Sequence, residues 1–326
     1  MASKKQIVED ALRRYPQFGS RTIAQFIVAH HPGVFTSKSR DTENDQVEVV
    51  REMLRYRRGN KGKISRPSKF EQSPMPRSWK RTIRPYKFNP GLWLIMADVH
   101  APMHDPKPLE AAIAAGQMEK VDGICFMGDF QDCAALGYWT QQRRVFMEEL
   151  DATLDLLDWI MAQFPKKTKY VYKIGNHESR LENYYRFNAP ELAASPLASM
   201  DMLFGFDHRG IIPVEADQKM MFGKLPAFHG HEFKRLHLTV NPARGLFLKT
   251  HTFGIIAHCH RPSMHPGTDV NDKLLTTWSV GCLCDLHPHW NPYGNEWGWG
   301  FALINVEKNG DFEVVNRRVL PSGEVV

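Results

Sequence analysis

Apolar residues recur at helical spacing in three short segments at the start of the chain. Over residues 4–15, Ile7, Val8, Ala11 and Leu12 form one stripe, and Pro16 to Gly19 breaks it. Ser20 is a fair N-cap for a second helix, in which Ile23, Phe26 and Ile27 line up until His31-Pro32-Gly33. Thr42, with Asp45 three residues on, opens a third helix carrying Val47, Val50 and Leu54. Three short helices with a tight turn fit a helix-turn-helix module and fit a generic three-helix cap equally well. Residues 59–90 are rich in Pro, Lys, Arg and Ser and predict a linker.

The pattern changes after Asn89-Pro90-Gly91. Leu92–Ala97, Gly123–Met127 and Lys169–Ile174 read as buried strands, and Leu109–Met118 and Val145–Phe164 as helices. Further apolar runs fall at 221–228, 253–257, 274–280 and 300–306, and Asn309-Gly310 reads as a hairpin turn. Early β-α-β-α-β alternation followed by strand-rich sequence predicts an α/β fold. The expected architecture is two stacked mixed β-sheets flanked by helices, preceded by a small all-α N-terminal module. The expected boundaries are 1–58 for the helical module, 59–90 for a basic linker and 91–326 for the α/β domain.

Composition removes several classes. At 326 residues, with 42% hydrophobic and 24% charged residues, the chain is neither disordered, nor a coiled coil, nor collagen-like. No apolar run approaches the ~20 residues of a membrane span, and the N-terminus lacks the apolar core of a signal peptide. Cys125, Cys133, Cys259, Cys282 and Cys284 form no disulfide framework. A reduced cytosolic protein without a membrane partner is the expectation.

Charge is unevenly spread. Residues 1–90 carry 20 Lys/Arg against 8 Asp/Glu, hence +12, which leaves −6 for the remainder of a chain of net charge +6. From Arg55 to Lys69 there are seven basic residues and no acid, including Arg55, Arg57, Arg58, Lys61 and Lys63. That density suits a polyanion such as DNA, because each phosphate neutralised releases counterions. A solvated basic linker is the other reading.

Residues able to bind metal stand where the strands end. These are Asp98-Val99-His100, Gly128-Asp129-Phe130-Gln131-Asp132, Gly175-Asn176-His177-Glu178, His229-Gly230-His231 and Ala257-His258-Cys259-His260. Sites in α/β sheets collect at the carboxyl ends of strands, so five such ends can converge. Residues i and i+2 leaving a strand point the same way, which pairs Asp98 with His100 and His258 with His260. Mixed carboxylate and imidazole donors suit manganese, iron or zinc.

This ordered set resembles the calcineurin-like metallophosphoesterase superfamily, over residues 93–260. The resemblance implies two divalent metal ions, manganese foremost, with iron, zinc or nickel as alternatives. Asp98, His100, Asp129 and His260 would hold one ion; Asp129, Asn176, His229 and His258 the other. His177 would stabilise the phosphate or protonate the leaving group, Asp132 would orient His177, and Arg180 would stand behind them. The implied activity is phosphoester hydrolysis, with a metal-activated hydroxide attacking phosphorus. Ala257 stands where the family has glycine. His231 is a second candidate for the lone histidine, though His229 follows the apolar strand directly. Together with the basic N-terminal module, the resemblance points loosely to a bacteriophage or prophage type, hence a host cytoplasm.

A DNA-directed phosphodiesterase or nuclease is the favoured reading. A phosphatase or phosphodiesterase for small nucleotides or phosphoproteins is the alternative, and a DNA-binding regulator with an inactive esterase domain is a further one. Cys282-Leu283-Cys284 lacks the second cysteine pair of a zinc knuckle, and alternation turns Cys259 into the core. Trp290, Tyr293, Trp297 and Trp299 read as packing against the second sheet, or alternatively as a base-stacking wall.

Overall fold

The computed structural model describes residues 2–15, 18–36, 42–59, 83–137, 145–193, 195, 199–236 and 239–326. The chain divides into two compact units, Met1–Lys80 and Arg81–Val326.

In the first unit, α1 (Lys4–Arg14), α2 (Ser20–His30) and α3 (Glu43–Gly59) close around their own core. Ile7, Val8, Ala11 and Leu12 meet Ile23, Ala24, Ile27 and Val28, and Val47, Val50, Leu54 and Phe35 complete the cluster. Phe26 is instead 39% exposed, with its ring against Tyr15 and His30. Local chemistry starts these helices. Ser3 Oγ accepts the Gln6 N–H at 3.2 Å while Gln6 Oε1 accepts the Ser3 N–H at 3.0 Å, a reciprocal capping box. Thr42 Oγ1 accepts the Asp45 N–H at 3.2 Å. At α2 the expected cap is displaced by one residue: Gly19 holds the cap position and Ser20 is the first helical residue. Glycine serves there almost as well as serine, because water can reach the open N–H groups.

The second unit runs β1 (Tyr86–Lys87), β2 (Gly91–Met96), α4 (Pro106–Met118), β3 (Gly123–Phe126), α5 (Phe146–Ala162), β4 (Lys169–Lys173), α6 (Ser179–Asn188), α7 (Met200–Phe204), α8 (Phe206–Arg209), β5 (Ile211–Val214), β6 (Met220–Phe222), β7 (Leu225–Phe228), α9 (Pro242–Thr250), β8 (Gly254–Ile256), β9 (Ser263–Thr268), β10 (Leu274–Ser279), β11 (Gly300–Val306) and β12 (Phe312–Arg318). Two six-stranded mixed sheets result, ordered β12-β11-β2-β3-β4-β5 and β1-β6-β7-β8-β10-β9. Strands β2 to β5 run parallel, and β11 closes antiparallel on β2.

Alternation along the central strands builds two cores. Trp93, Ile95, Cys125, Met127 and Val171 face the second sheet, where Phe222, Leu225, Ala227, Ile255 and Trp278 meet them. Leu94, Met96, Ile124, Phe126 and Tyr172 face outward and are covered by residues of α4, α5, α7 and α8. The outer side of the second sheet packs Ile256 against Leu246 of α9. Burial on both faces explains the unbroken apolar runs of β2 and β3.

Two expectations are revised. Residues 86–88 belong to the expected linker, yet Tyr86 and Lys87 pair with Met220 and Met221, and Phe88 stacks on Phe222 at 3.7 Å between ring centroids. Burial of that ring outweighs the polar, proline-rich context. The run 221–228 is not one strand but a hairpin, with β6 and β7 antiparallel. Among the described residues no helix is long and apolar enough to cross a membrane, and all five cysteines are buried and unpaired by disulfides.

Candidate metal centre

The loops after β2, β3, β4, β7 and β8 carry their polar residues to one place. Strands β2 to β4 are parallel in one sheet, as are β7 and β8 in the other, so within each sheet their carboxyl ends share an edge, and contacts such as His258 N–H to Asp98 join the two sets of loops. The backbone there is left-handed at Asp98 (φ 51°), His100 (49°), Asp129 (51°), His258 (63°) and His260 (56°). Such a conformation costs a residue with a Cβ about 1–2 kcal/mol, and it persists where the surroundings over-determine it.

Both aspartates are buried and use their two oxygens differently. Asp98 Oδ2 accepts the His258 N–H at 2.9 Å, whereas Oδ1 makes no hydrogen bond among the described residues. That oxygen lies 3.2 Å from His260 Nε2 and 3.9 Å from His100 Nε2. Asp129 Oδ1 accepts the His177 N–H at 2.9 Å. Its Oδ2 lies 3.1 Å from His229 Nε2 and 3.9 Å from His258 Nδ1. Asn176 Oδ1 is 3.2 Å from His229 Nε2, and the Nε2 atoms of His100 and His260 are 3.1 Å apart. His229 Nδ1–H donates to the Met127 carbonyl at 2.8 Å, which leaves Nε2 as the inward atom.

This chemistry fits divalent cations. Ring nitrogens that face each other, beside a buried carboxylate oxygen without a donor, are satisfied by a shared positive ion. Among the described residues, three groups could each hold one by distance: Asp129, His229 and His258; His100, Asp129 and His177; and His100, His260 and Cys284. Within each group the donor atoms lie inside 4.8 Å of one another. Asp129 belongs to two of them.

Without a metal, protons take the ion's place. Burial lowers His229, but the Asp129 carboxylate and then Asp98 outweigh it and push the ring up to about 10. Burial likewise lowers His260, and Asp98 pushes it up to about 9. Burial raises Asp98 and Asp129, but these histidines hold both below the usual carboxylate range. A metal accepts only the neutral imidazole. Loading near neutral pH should therefore release protons, and apparent affinity should rise with pH until about 9–10. Calorimetric titration in two buffers of different protonation enthalpy reads this directly; identical heats would contradict it.

His177 stands at the rim. Its Nδ1–H donates to the Asp132 carbonyl at 2.7 Å, and Asp132 Oδ1 is 3.1 Å from that nitrogen. Asp132 Oδ1 also lies 3.1 Å from His100 Nδ1, so one carboxylate orients two rings. Arg180 Nη1 donates to the same carbonyl at 3.0 Å, and Nη2 is 3.1 Å from His177 Nε2. Burial lowers the His177 pKa, but the Asp129 charge and the Asp132 bond raise it overall. His231 lies beside the cluster, its Nδ1 3.6 Å from Glu232 Oε2, while His229 occupies the position against Asp129.

Sequence reasoning passed over Glu178. This buried carboxylate accepts the N–H groups of Phe130 (2.7 Å), Gln131 (3.1 Å), Asp129 (3.2 Å) and Gly175 (2.9 Å), and the Tyr172 hydroxyl at 2.8 Å. It locks the loop bearing Asp129 to the loop bearing Asn176 and His177. The available signal was an acid directly after a strand-end Asn-His pair. Buried Lys173 performs a similar task nearby: it donates to three carbonyls and lies 3.2 Å from Glu232, which in turn accepts the Gly230 N–H.

Gly128 permits the close approach of the loop after β3 to His229. Its φ is +94°, and a Cβ there would fall 2.3 Å from His229 Nδ1. Gly128→Ala should displace that ring and remove about one bound metal per chain, by elemental analysis. Two metals retained in a folded variant would argue against His229 as a donor.

The basic residues are distributed differently. Arg55 is exposed on α3, and Arg57 pairs with Glu9 of α1. The Arg58 side chain, Lys61 and Lys63 lie outside the described residues. The aromatic cluster divides: Trp299 is half-buried against the outer core of the first sheet and not the second, whereas Trp290 is 58% and Tyr293 88% exposed. The connection from β10 to β11 is irregular and brings Trp297 to His260, 4.2 Å between ring centroids, with Trp290 5.5 Å from Trp297.

No family model matches the sequence, and no curated protein does. Among solved structures the chain is similar to Vps29 from Chaetomium thermophilum, at 13% identity over 72% of this chain and 94% of that one, with a TM-score of 0.35. It is similar to a dimetal phosphatase from Danio rerio at 15% identity, over 71% and 96% of the two chains, with a TM-score of 0.34. Nuclease MPE from Pseudomonas putida is matched at 14% identity, over 69% and 86%, with a TM-score of 0.27.

Proposed function

We propose that the chain is a two-metal-dependent phosphoester hydrolase acting on phosphodiesters, with DNA as the substrate. The observation that carries this reading is Asp129. One carboxylate has an oxygen on the His177 N–H and its other oxygen turned toward His229 and His258, while Asp98 serves His100 and His260. Asp98, His100, Asp129 and His260 would hold one ion, and Asp129, Asn176, His229 and His258 the other, from the manganese, iron, zinc and nickel class. When bound, such ions acidify water and draw charge from a phosphoryl group.

The chain's own residues do the rest. Asp132 fixes the His177 ring through Nδ1, so that Nε2, 3.1 Å from Arg180 Nη2, is the atom that would turn from the guanidinium to a leaving oxygen. Arg180 adds positive charge at the same edge, where equatorial oxygens gain negative charge. Glu178 keeps the Asp129 and Asn176 loops in register, which preserves the geometry on which in-line attack depends. The basic stretch from Arg55 to Lys69 favours a long polyanion over a small ester.

Hydrolysis of bis(p-nitrophenyl) phosphate, p-nitrophenyl phosphate and labelled DNA, each with Mn²⁺ and with chelator, tests this. DNA cleavage should fall steeply with salt, while cleavage of the small diester should hardly change. Cleavage of small esters alone would remove the DNA reading. No metal-dependent hydrolysis of any ester would remove the whole assignment.

A further inference from the structure

Cys282-Leu283-Cys284 has no part in the ligand set above, yet the fold carries it to the cluster. After β10 the chain turns at Gly281, where a Cβ would fall 2.5 Å from both the Gly298 oxygen and the Gly300 nitrogen. The backbone therefore passes closer than any side chain would allow. Beyond it the segment is held on two sides. Cys282 N–H donates to the Gly298 carbonyl (3.0 Å) and Leu283 N–H to the Asp98 carbonyl (3.1 Å). Asp105 N–H donates to the Leu283 carbonyl and Asp285 N–H to the Met103 carbonyl, both at 2.9 Å. Trp299 Nε1–H donates to the Cys284 carbonyl at 2.9 Å.

Cys284 is thereby clamped against the loop that carries Asp98 and His100. It is 3% exposed, and its sulfur lies within 4.8 Å of a ring nitrogen of His100 and of His260. Independently, Asp98 Oδ1 is fully buried, has no hydrogen bond among the described residues, and faces the same two rings at 3.9 and 3.2 Å. A thiol and a carboxylate oxygen thus each approach the same pair of imidazoles. Of the neighbouring sulfurs, Cys282 Sγ lies 3.7 Å from the Gly298 carbonyl and shares a hydrogen bond with the Cys284 side chain, and Cys259 packs with Leu236, Leu246 and Ile256.

We propose that Cys284 is a thiolate ligand to the ion held by Asp98, His100 and His260, and that it biases this position toward zinc-like ions over manganese. The proposal rests on the two-metal reading above. A thiolate is a soft donor, which zinc, cobalt and iron accept readily and manganese poorly. The position around His229 and His258 offers only nitrogen and oxygen. The two halves of the centre are therefore unequal in preference. On binding, the sulfur–metal bond replaces the S–H bond, and the proton leaves to the buffer.

The test is titration of the metal-free full-length chain with Co²⁺, read by absorption. Two ions should bind, and one of them should bring a thiolate-to-cobalt charge-transfer band in the near ultraviolet. Cys284→Ser should abolish that band while the visible cobalt bands remain; Cys282→Ser and Cys259→Ser should keep it. In competition, Cys284→Ser should reduce the zinc-over-manganese preference about tenfold or more. Two cobalt ions without a thiolate band would overturn the proposal, as would a band that survives Cys284→Ser or disappears with Cys282→Ser. Should Cys284→Ser fail to fold, the native spectrum and the Cys282→Ser spectrum decide the matter. Failure to bind cobalt at all would instead remove the metal-centre reading itself.

Discussion

Asp129→Asn should abolish turnover and strip the centre of metal. The substitution keeps the size of the side chain, so the fold should survive, as circular dichroism can verify. It cannot keep the chemistry. Oδ1 receives the His177 N–H and Oδ2 faces His229 and His258. An amide must turn its NH₂ toward one of these sides, where it either opposes an N–H donor or denies an ion its oxygen. The change also deletes the negative charge that would lie between the two proposed ions. We expect a fall in kcat/KM on the order of 10³-fold or more, and metal content by elemental analysis near zero. An Asp129→Asn chain with two metals and full activity would end the bridging assignment.

His177→Ala should separate chemistry from metal binding. The ring is tied to the Asp132 carbonyl rather than needed by either proposed ion, although its distance to Asp129 and His100 would allow it to be a donor. If its task is proton delivery, kcat should drop about 10²–10⁴-fold while metal content stays at the native value. The loss should be larger for DNA, whose alkoxide leaves poorly, than for p-nitrophenyl esters, whose phenolate needs little help. Loss of one metal per chain would make His177 a ligand; an equal loss on both substrates would assign it to phosphate binding rather than protonation.

The sequence was most informative where burial was complete. Strands β2, β3 and β11 lie inside their sheet and read as unbroken apolar runs. Strand β9, Ser263–Thr268, is an edge strand with alternate residues exposed and contains Pro and Gly, so nothing in its composition marks it. Strand β5 has Pro213 and two exposed positions for the same reason. The candidate donors were legible because each stands directly after a strand, where chain order alone brings it to the shared edge. Glu178, Lys173 and the proposed donor Cys284 were not, because each depends on which loop lies beside it. Glu178 could be seen only as the last letter of a motif, and Cys284 only as half of an incomplete one.

The placement of β11 has a consequence for biosynthesis. Strand β2 lies between β3 and β11, and β11 is complete only at Val306. At 5–20 residues per second, a ribosome needs roughly 10–40 s to travel from the end of β2 to the end of β11. Throughout that interval one edge of an apolar, largely buried strand has no partner, and the loop of Asp98 waits for histidines still to be made. Strand pairing at such separation is slow and exposed to aggregation. The yield of native chain should thus depend more on chaperone supply and translation speed than on the stability of the finished domain.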